Sequence, residues 1–220
     1  AYGVGAVGLD LSYGLFYSFL AKYLTDILHL SNKFLCCFTI CMSVSRAYGF
    51  YDETEGVLDV ASAPLFDIWG FGFNNRESVS QHKIDSIKQF VGMEKGYVSD
   101  GKLFKSDHRF KLNFNAIAQG YSCDIVATEL DKLGLCNYLV EVGMEIYCRG
   151  LNPSGNLWKI GVDTPEDGNM EAGKSLKGVI EVSDAGIVTS GNYRKFFIEE
   201  GQKFSHTIDP VSGYPVKHNL

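Results

Sequence analysis

The 220-residue sequence holds no C-x-x-C pair, and its six cysteines, at 36, 37, 41, 123, 136 and 148, never fall into a Cys/His cluster with zinc spacing. That excludes a structural zinc site of the usual kind, and a dense disulfide framework is out of place at this size and composition. The cysteines read instead as small buried hydrophobes. A basic excess is lacking too: 20 Lys and Arg against 26 Asp and Glu leave a net charge of −6, which argues against a general nucleic-acid binder. No block of like charges marks a tail, no repeat recurs along the chain, and no low-complexity linker divides it. No positively charged segment followed by a short apolar one opens the chain, so no secretory signal is visible. The apolar run Phe34 to Val44, in "KFLCCFTICMSVSR", is too short to span a bilayer as a helix and reads as a buried strand or core helix.

The composition is that of an ordinary globular protein, 45% apolar and 21% charged, long enough for one domain with a sizeable core or two small ones. Residues 3–8, "GVGAVG", satisfy G-x-G-x-x-G. The dinucleotide fingerprint needs a strand immediately before its glycines, and only Ala1 and Tyr2 precede them. Asp26 lies at the right distance for the ribose-binding acid, but inside a helical pattern. A glycine-rich chain end is the better reading.

Apolar residues at Phe16, Phe19, Leu20, Tyr23, Leu24, Ile27 and Leu28 recur with helical period. The spacing predicts a second helix in 78–92, on Ile84, Ile87 and Val91, ending at Gly92. It predicts a third over 116–135, with Ile125, Val126, Leu130 and Leu133 as its stripe and Gly134 as its stop. Short β-rich runs come next at 137–142, 145–150, 157–163 and 178–190, then a hairpin over 195–208 turning near Glu200-Gly201. Strands in series with few intervening helices favour an antiparallel α+β layer over a doubly wound sheet.

Several separated stretches act together: "TEGVLDVASAPLFDIWGFG" (54–72), "NAIAQGYSCDIVA" (115–127), "YLVEVGMEIYCRG" (138–150), and "TSGNYRKFF" (189–197) running into "SHTIDPVSGYPV" (205–216). Their order and spacing resemble the ApbE family of FAD:protein FMN transferases, over roughly residues 47 to 220, with 1–46 divergent. The resemblance implies an α+β, T-fold-like architecture with a largely antiparallel sheet and flanking helices. It implies cleavage of the FAD pyrophosphate and transfer of FMN, as a phosphoester, to a threonine of an acceptor flavoprotein, with release of AMP and assistance from magnesium. It also implies a cell-envelope, periplasmic-side location and a lipid anchor of which this sequence shows no sign. The alternatives are a non-catalytic flavin-nucleotide binder and an FAD pyrophosphatase.

The resemblance also assigns positions. Val57, Leu58 and Asp59 match a stretch that lines the cofactor, although a lone aspartate ordinarily serves as a turn or cap residue. Trp69 and Phe71 would border the FAD site, although by composition they are core residues. The backbone carbonyl of Ala116 would reach magnesium. Asn113 stands where the family carries an aspartate, and Gln119 where it carries lysine or glutamate; both would meet the flavin nucleotide. Gly143-Met144, between Glu141 and Glu145, replaces a pair of glycines, so Met144 departs where close backbone approach favours glycine. Ser190, Gly191, Tyr193 and Arg194 would lie at the nucleotide, Arg194 against a phosphate or a structural carboxylate. His206 and Asp209 would be the catalytic pair: His206 would run past the pyrophosphate and either hydrogen-bond a phosphate or assist proton transfer from the threonine, with Asp209 orienting the loop and Thr207 and Ile208 meeting the nucleotide through their backbone. The family pattern continues with a "DALATA"-like segment that supplies two further magnesium ligands; no such segment occurs within these 220 residues.

Overall fold

The computed structural model describes residues 44–72, 76–100, 102–167, 173–193 and 195–217. The glycine fingerprint at 3–8, the helical stripe from Phe16 to Leu28, the apolar run before Val44 and Arg194 lie outside the described residues. The chain divides into two compact units: the described residues of 44–116 together with 195–217 form one, and those of 117–194 the other.

The first unit opens with a helix over 44–53 (α1), whose Val44 and Ala47 are buried. A 3-10 turn, Val60–Ser62, runs straight into the short helix Ala63–Ile68 (α2), with Pro64 in its first turn, where proline's missing N–H costs nothing. Sequence periodicity does not reveal α2, because Ala63, Pro64, Leu65, Asp67 and Ile68 are all buried and leave almost no polar face to set a period. The helix expected in 78–92 is shorter, Gln81–Lys88 (α3), capped by the Ser80 side chain, which accepts from the Lys83 amide. Val91 is buried in the loop beyond it, and Gly92, at φ +122°, leads into a 3-10 turn. Strands Gly96–Ser99 (β1) and Lys102–Lys105 (β2) make a hairpin absent from the sequence expectations, although Asp100-Gly101 between them is a hairpin turn signal.

The second unit holds helix Ala118–Lys132 (α4) and five strands: Tyr138–Val142 (β3), Glu145–Arg149 (β4), Trp158–Asp163 (β5), Leu176–Val182 (β6) and Ala185–Ile187 (β7). They pair antiparallel as β3-β4-β7 and β5-β6. Gly134, at φ +78°, stops α4 as expected: its amide bonds Asp131 and that of Leu135 bonds Leu130, the two bonds of a Schellman motif. The stripe differs from the expected one. Cys123 and Ala127 are its buried residues, with Val126 and Leu130 packed at the margin against Tyr138 and Val140. Leu133 is the cap residue and is 73% exposed. Small residues carry this face because α4 lies close on β3 and β4. Of the cysteines, Cys123 and Cys148 are buried as expected, and Cys136 is exposed.

The chain returns to the first unit with Phe196–Glu199 (β8) and Gln202–Ser205 (β9), the hairpin expected around Glu200-Gly201, both at positive φ. Its Phe197 and Phe204 and the adjoining Ile208 complete a core with Leu65, Ile68, Trp69, Ile84, Ile87 and Phe90. Leu65 and Ile84 are fully buried, each contributing about 1.5–3 kcal/mol of apolar transfer. Antiparallel pairs beside helices make the fold α+β, as the strand order implied.

Candidate functional site

The motif residues fall on both units. In the first unit, a turn after α1 carries Val57, exposed, and Leu58, whose amide bonds the Thr54 hydroxyl. Asp59 comes next as cap of the 3-10 turn, its Oδ1 accepting the Ala61 amide at 2.7 Å. Burial drives its carboxyl up to about 6 against the opposing amides of Ala61 and Met93, and nearby Glu94 adds to the rise. Asn113 is tied to the same turn: its amide bonds the Val60 carbonyl at 2.7 Å, and its side chain accepts from the Asn115 amide. Ala116 is the last residue of this stretch and is exposed.

The loop that carries His206 is fastened at several points. Asp209 caps it: Oδ1 accepts the Val211 amide at 2.9 Å and Oδ2 the Ser212 amide at 3.3 Å. Burial works to raise this carboxyl, but the Ser212 side chain and those amides outweigh it and hold it below the usual range. The Asp209 amide bonds the Tyr214 carbonyl, the Gly213 amide returns to the Asp209 carbonyl, and Val216 bonds Thr207. Trp69 Nε1 donates to the Gly213 carbonyl at 2.9 Å, so the "IWGFG" stretch and the "SGYP" turn share one anchor. Ile208 is buried in the core and Thr207 is exposed.

His206 is half-buried at the open end of the β8–β9 hairpin. Its Nδ1 lies 3.3 Å from the Lys195 carbonyl. A carbonyl can only accept, so Nδ1 carries the proton and Nε2 presents a lone pair. Burial pushes the imidazole below its ordinary value, the Lys195 carbonyl opposes that and the Lys195 charge reinforces it. Phe71 meets the ring edge-on at 6.4 Å between centroids. Sequence reasoning did not find Lys195, because a backbone partner leaves no residue signature. The hairpin register holds the clue: Phe196 pairs Ser205, which sets Lys195 opposite His206.

In the second unit, Gln119 on the first turn of α4 donates through Nε2 to the Gly143 carbonyl at 3.3 Å. Gly143 and Met144 form the two-residue β3–β4 turn at φ +60° and +76°, the mirror-image geometry that suits a tight hairpin. Beside them one carboxylate oxygen of Glu145, Oε2, is buried without a hydrogen-bond partner, and burial raises this carboxyl. Ser190 and Gly191 are exposed in the loop after β7, with Tyr193 half-buried. Among the described residues, no group of three or more His, Cys, Asp or Glu could hold a metal ion.

Comparison with known proteins gives one consistent result. The model of the ApbE family matches residues 39–220. A FAD:protein FMN transferase of Vibrio cholerae is 35% identical over 179 residues, 80% of this chain and 52% of that protein. The solved flavin transferase ApbE of Vibrio cholerae superposes with a TM-score of 0.67 at 32% identity, over 86% of this chain and 57% of that one. The apo flavinyl transferase ApbE of Pseudomonas stutzeri does so with a TM-score of 0.72 at 25% identity, over 98% and 71%. The chain spans about half the length of the curated relatives it matches.

Proposed function

This chain belongs to the ApbE family, and from that premise we propose that it carries the flavin-nucleotide-binding and proton-accepting part of an FAD:protein FMN transferase. The observation that carries the reading is the state of His206. Its Nδ1–H is spent on the Lys195 carbonyl, burial keeps the ring neutral near pH 7, and Nε2 makes no hydrogen bond among the described residues. That is the equipment of a general base. The acceptor's threonine hydroxyl gives its proton to Nε2 as its oxygen attacks the FMN-side phosphorus of FAD. A new P–O bond forms there, the pyrophosphate P–O bond breaks, and AMP leaves with the electron pair. His206 then returns the proton to the leaving phosphate or to water.

The remaining motif residues bind and orient. Gln119 and Asn113 supply neutral amide contacts where the family carries charge, and the Ser190–Tyr193 loop supplies exposed backbone beside a hydroxyl. The family resemblance gives Val57, Leu58 and Asp59 a nucleotide-contacting role as well. Magnesium, which the family resemblance implies, would find the Ala116 carbonyl here, but one backbone oxygen does not make a site for an ion that wants six. No step above depends on it. The acceptor is a flavoprotein with a target threonine, and the same resemblance supports a location at the cell envelope.

Calorimetric titration of the chain should show FAD binding more tightly than FMN, because the AMP half adds contacts. With an acceptor peptide holding a single threonine, AMP release should accompany FMN attachment, and His206→Ala should lower the rate about 10²–10⁴-fold while the melting temperature holds. Equal binding or no binding of the two flavins refutes the reading. Release of AMP and free FMN without attachment would make the protein a pyrophosphatase instead.

A further inference from the structure

The "IWGFG" stretch closes on His206 in a way that the transfer reaction above does not use. Phe71 meets the imidazole edge-on at 6.4 Å between centroids, and it also stacks on Phe197 of β8 at 5.5 Å and 20°. Phe197 is itself held twice. It stacks on Phe204 at 5.2 Å, and the Arg76 guanidinium lies over its ring at 3.9 Å. Arg76 is in turn fixed by an ion pair to Glu199, two residues along β8. A run of contacts therefore leads from Glu199 through Arg76, Phe197 and Phe71 to His206. All five residues lie in one compact unit.

We infer that Phe71 is a positioning residue for His206: its ring, backed by Phe197 and Arg76, fixes the imidazole plane against the Lys195 carbonyl and keeps water off the Nδ1 side. The inference rests on His206 being the proton acceptor proposed above, but its geometry stands without turnover. An imidazole held by one hydrogen bond can still rotate about it. A second contact on the ring removes that freedom, and a flat aromatic edge does so without offering a competing hydrogen bond. The guanidinium over the half-buried Phe197 ring adds stiffness, because the cation is drawn to the ring's face. Among the described residues, the charged groups facing the imidazole are few. The Lys195 side chain acts on it directly, and Arg76 and Glu199 sit one ring further away as a neutral pair.

The decisive experiment is nitrogen-15 NMR of the whole chain with labelled histidine, free of flavin. In the wild type His206 should appear as a single neutral tautomer with the proton on Nδ1, titrating below the ordinary imidazole value of about 6.5. Phe71→Ala should move that titration upward towards the ordinary value and give averaged tautomer shifts. Phe71→Tyr, which keeps the ring, should restore the wild-type signals. Should Phe71→Ala not fold, Phe71→Leu reads the same contact. In the transfer assay Phe71→Leu should lower kcat about tenfold, change KM for FAD by much less, and move the acidic limb of the pH profile with the NMR titration. An unchanged His206 tautomer and titration in these variants, with only a lower melting temperature, would make Phe71 a plain core residue and overturn the inference. If the wild type shows the expected NMR signature but no transfer, the functional reading fails and the positioning role survives.

Discussion

Met144 occupies a backbone conformation that its side chain opposes. At φ +76° a Cβ crowds the adjoining carbonyl, a cost of roughly 1–2 kcal/mol that glycine escapes. Met144→Gly should therefore stabilise the protein by about 1 kcal/mol, read as a higher urea midpoint with an unchanged slope. Asp59 strains the molecule electrostatically instead. Its folded pKa, about 6, lies above the ordinary aspartate value of about 3.9, so the folded state binds more protons between those limits. The stability this contributes is present below the unfolded pKa and is lost as pH rises through 6. Asp59→Asn keeps an oxygen for the Ala61 amide and carries no charge. It should match the wild type at pH 4 and exceed it at pH 7 by an amount on the order of 1–3 kcal/mol, solvent screening included. Urea denaturation across pH 4–7 measures the difference; parallel curves would show that burial of Asp59 has no such cost.

The turn after β9 is set by one glycine. Gly213 sits at φ +80°, its carbonyl accepts from Trp69, and a Cβ there would lie 2.5 Å from Ile84 Cγ2 on α3. Gly213→Ala should cost about 2–4 kcal/mol, from the disfavoured backbone and the overpacked core together, visible as a melting temperature lower by several degrees. A loss under 0.5 kcal/mol would mean that the loop shifts freely off α3. This element also shows how far residue order discloses structure. The β8–β9 hairpin and its Glu200-Gly201 turn were legible because two β-rich runs flank a turn signal, although the second strand ends at Ser205, short of the expected 208. On α4 the limits and the Gly134 stop could be read, but not the stripe, because Cys123 and Ala127 are too small to register as a hydrophobic face. Helix α2 was hidden by burial on all sides. The site divides in a similar way. Motif order singled out His206, Asp59 and Gln119, whereas their fastenings are the backbone groups of Lys195, Ala61 and Gly143, which any residue could supply.

At the scale of the molecule, the two units share one chain unequally. Among the described residues, the 117–194 unit is a single segment, while the other is assembled from the segments on either side of it. The motifs are divided in the same way, with Asp59, Asn113 and His206 on the discontinuous unit and Gln119 with the Ser190–Tyr193 loop on the continuous one. Most of the net charge of −6 falls on residues 117–194, which hold 11 Asp and Glu against 6 Lys and Arg; that excess opposes self-association without fixing a partner.

The bond from Trp69 to Gly213 joins residues 144 apart, and the core that receives Ile208 contains Leu65 and Ile84. A ribosome adds about 5–20 residues each second. Roughly 7–30 seconds thus pass between the emergence of Trp69 and the arrival of the carbonyl that satisfies it, at that rate. Throughout that interval α2 and α3 wait with their apolar faces uncovered, while the 117–194 segment can close on itself. A chain cut short before Ile208 should therefore leave those apolar faces exposed and be captured or degraded, whatever the order in which the rest folds.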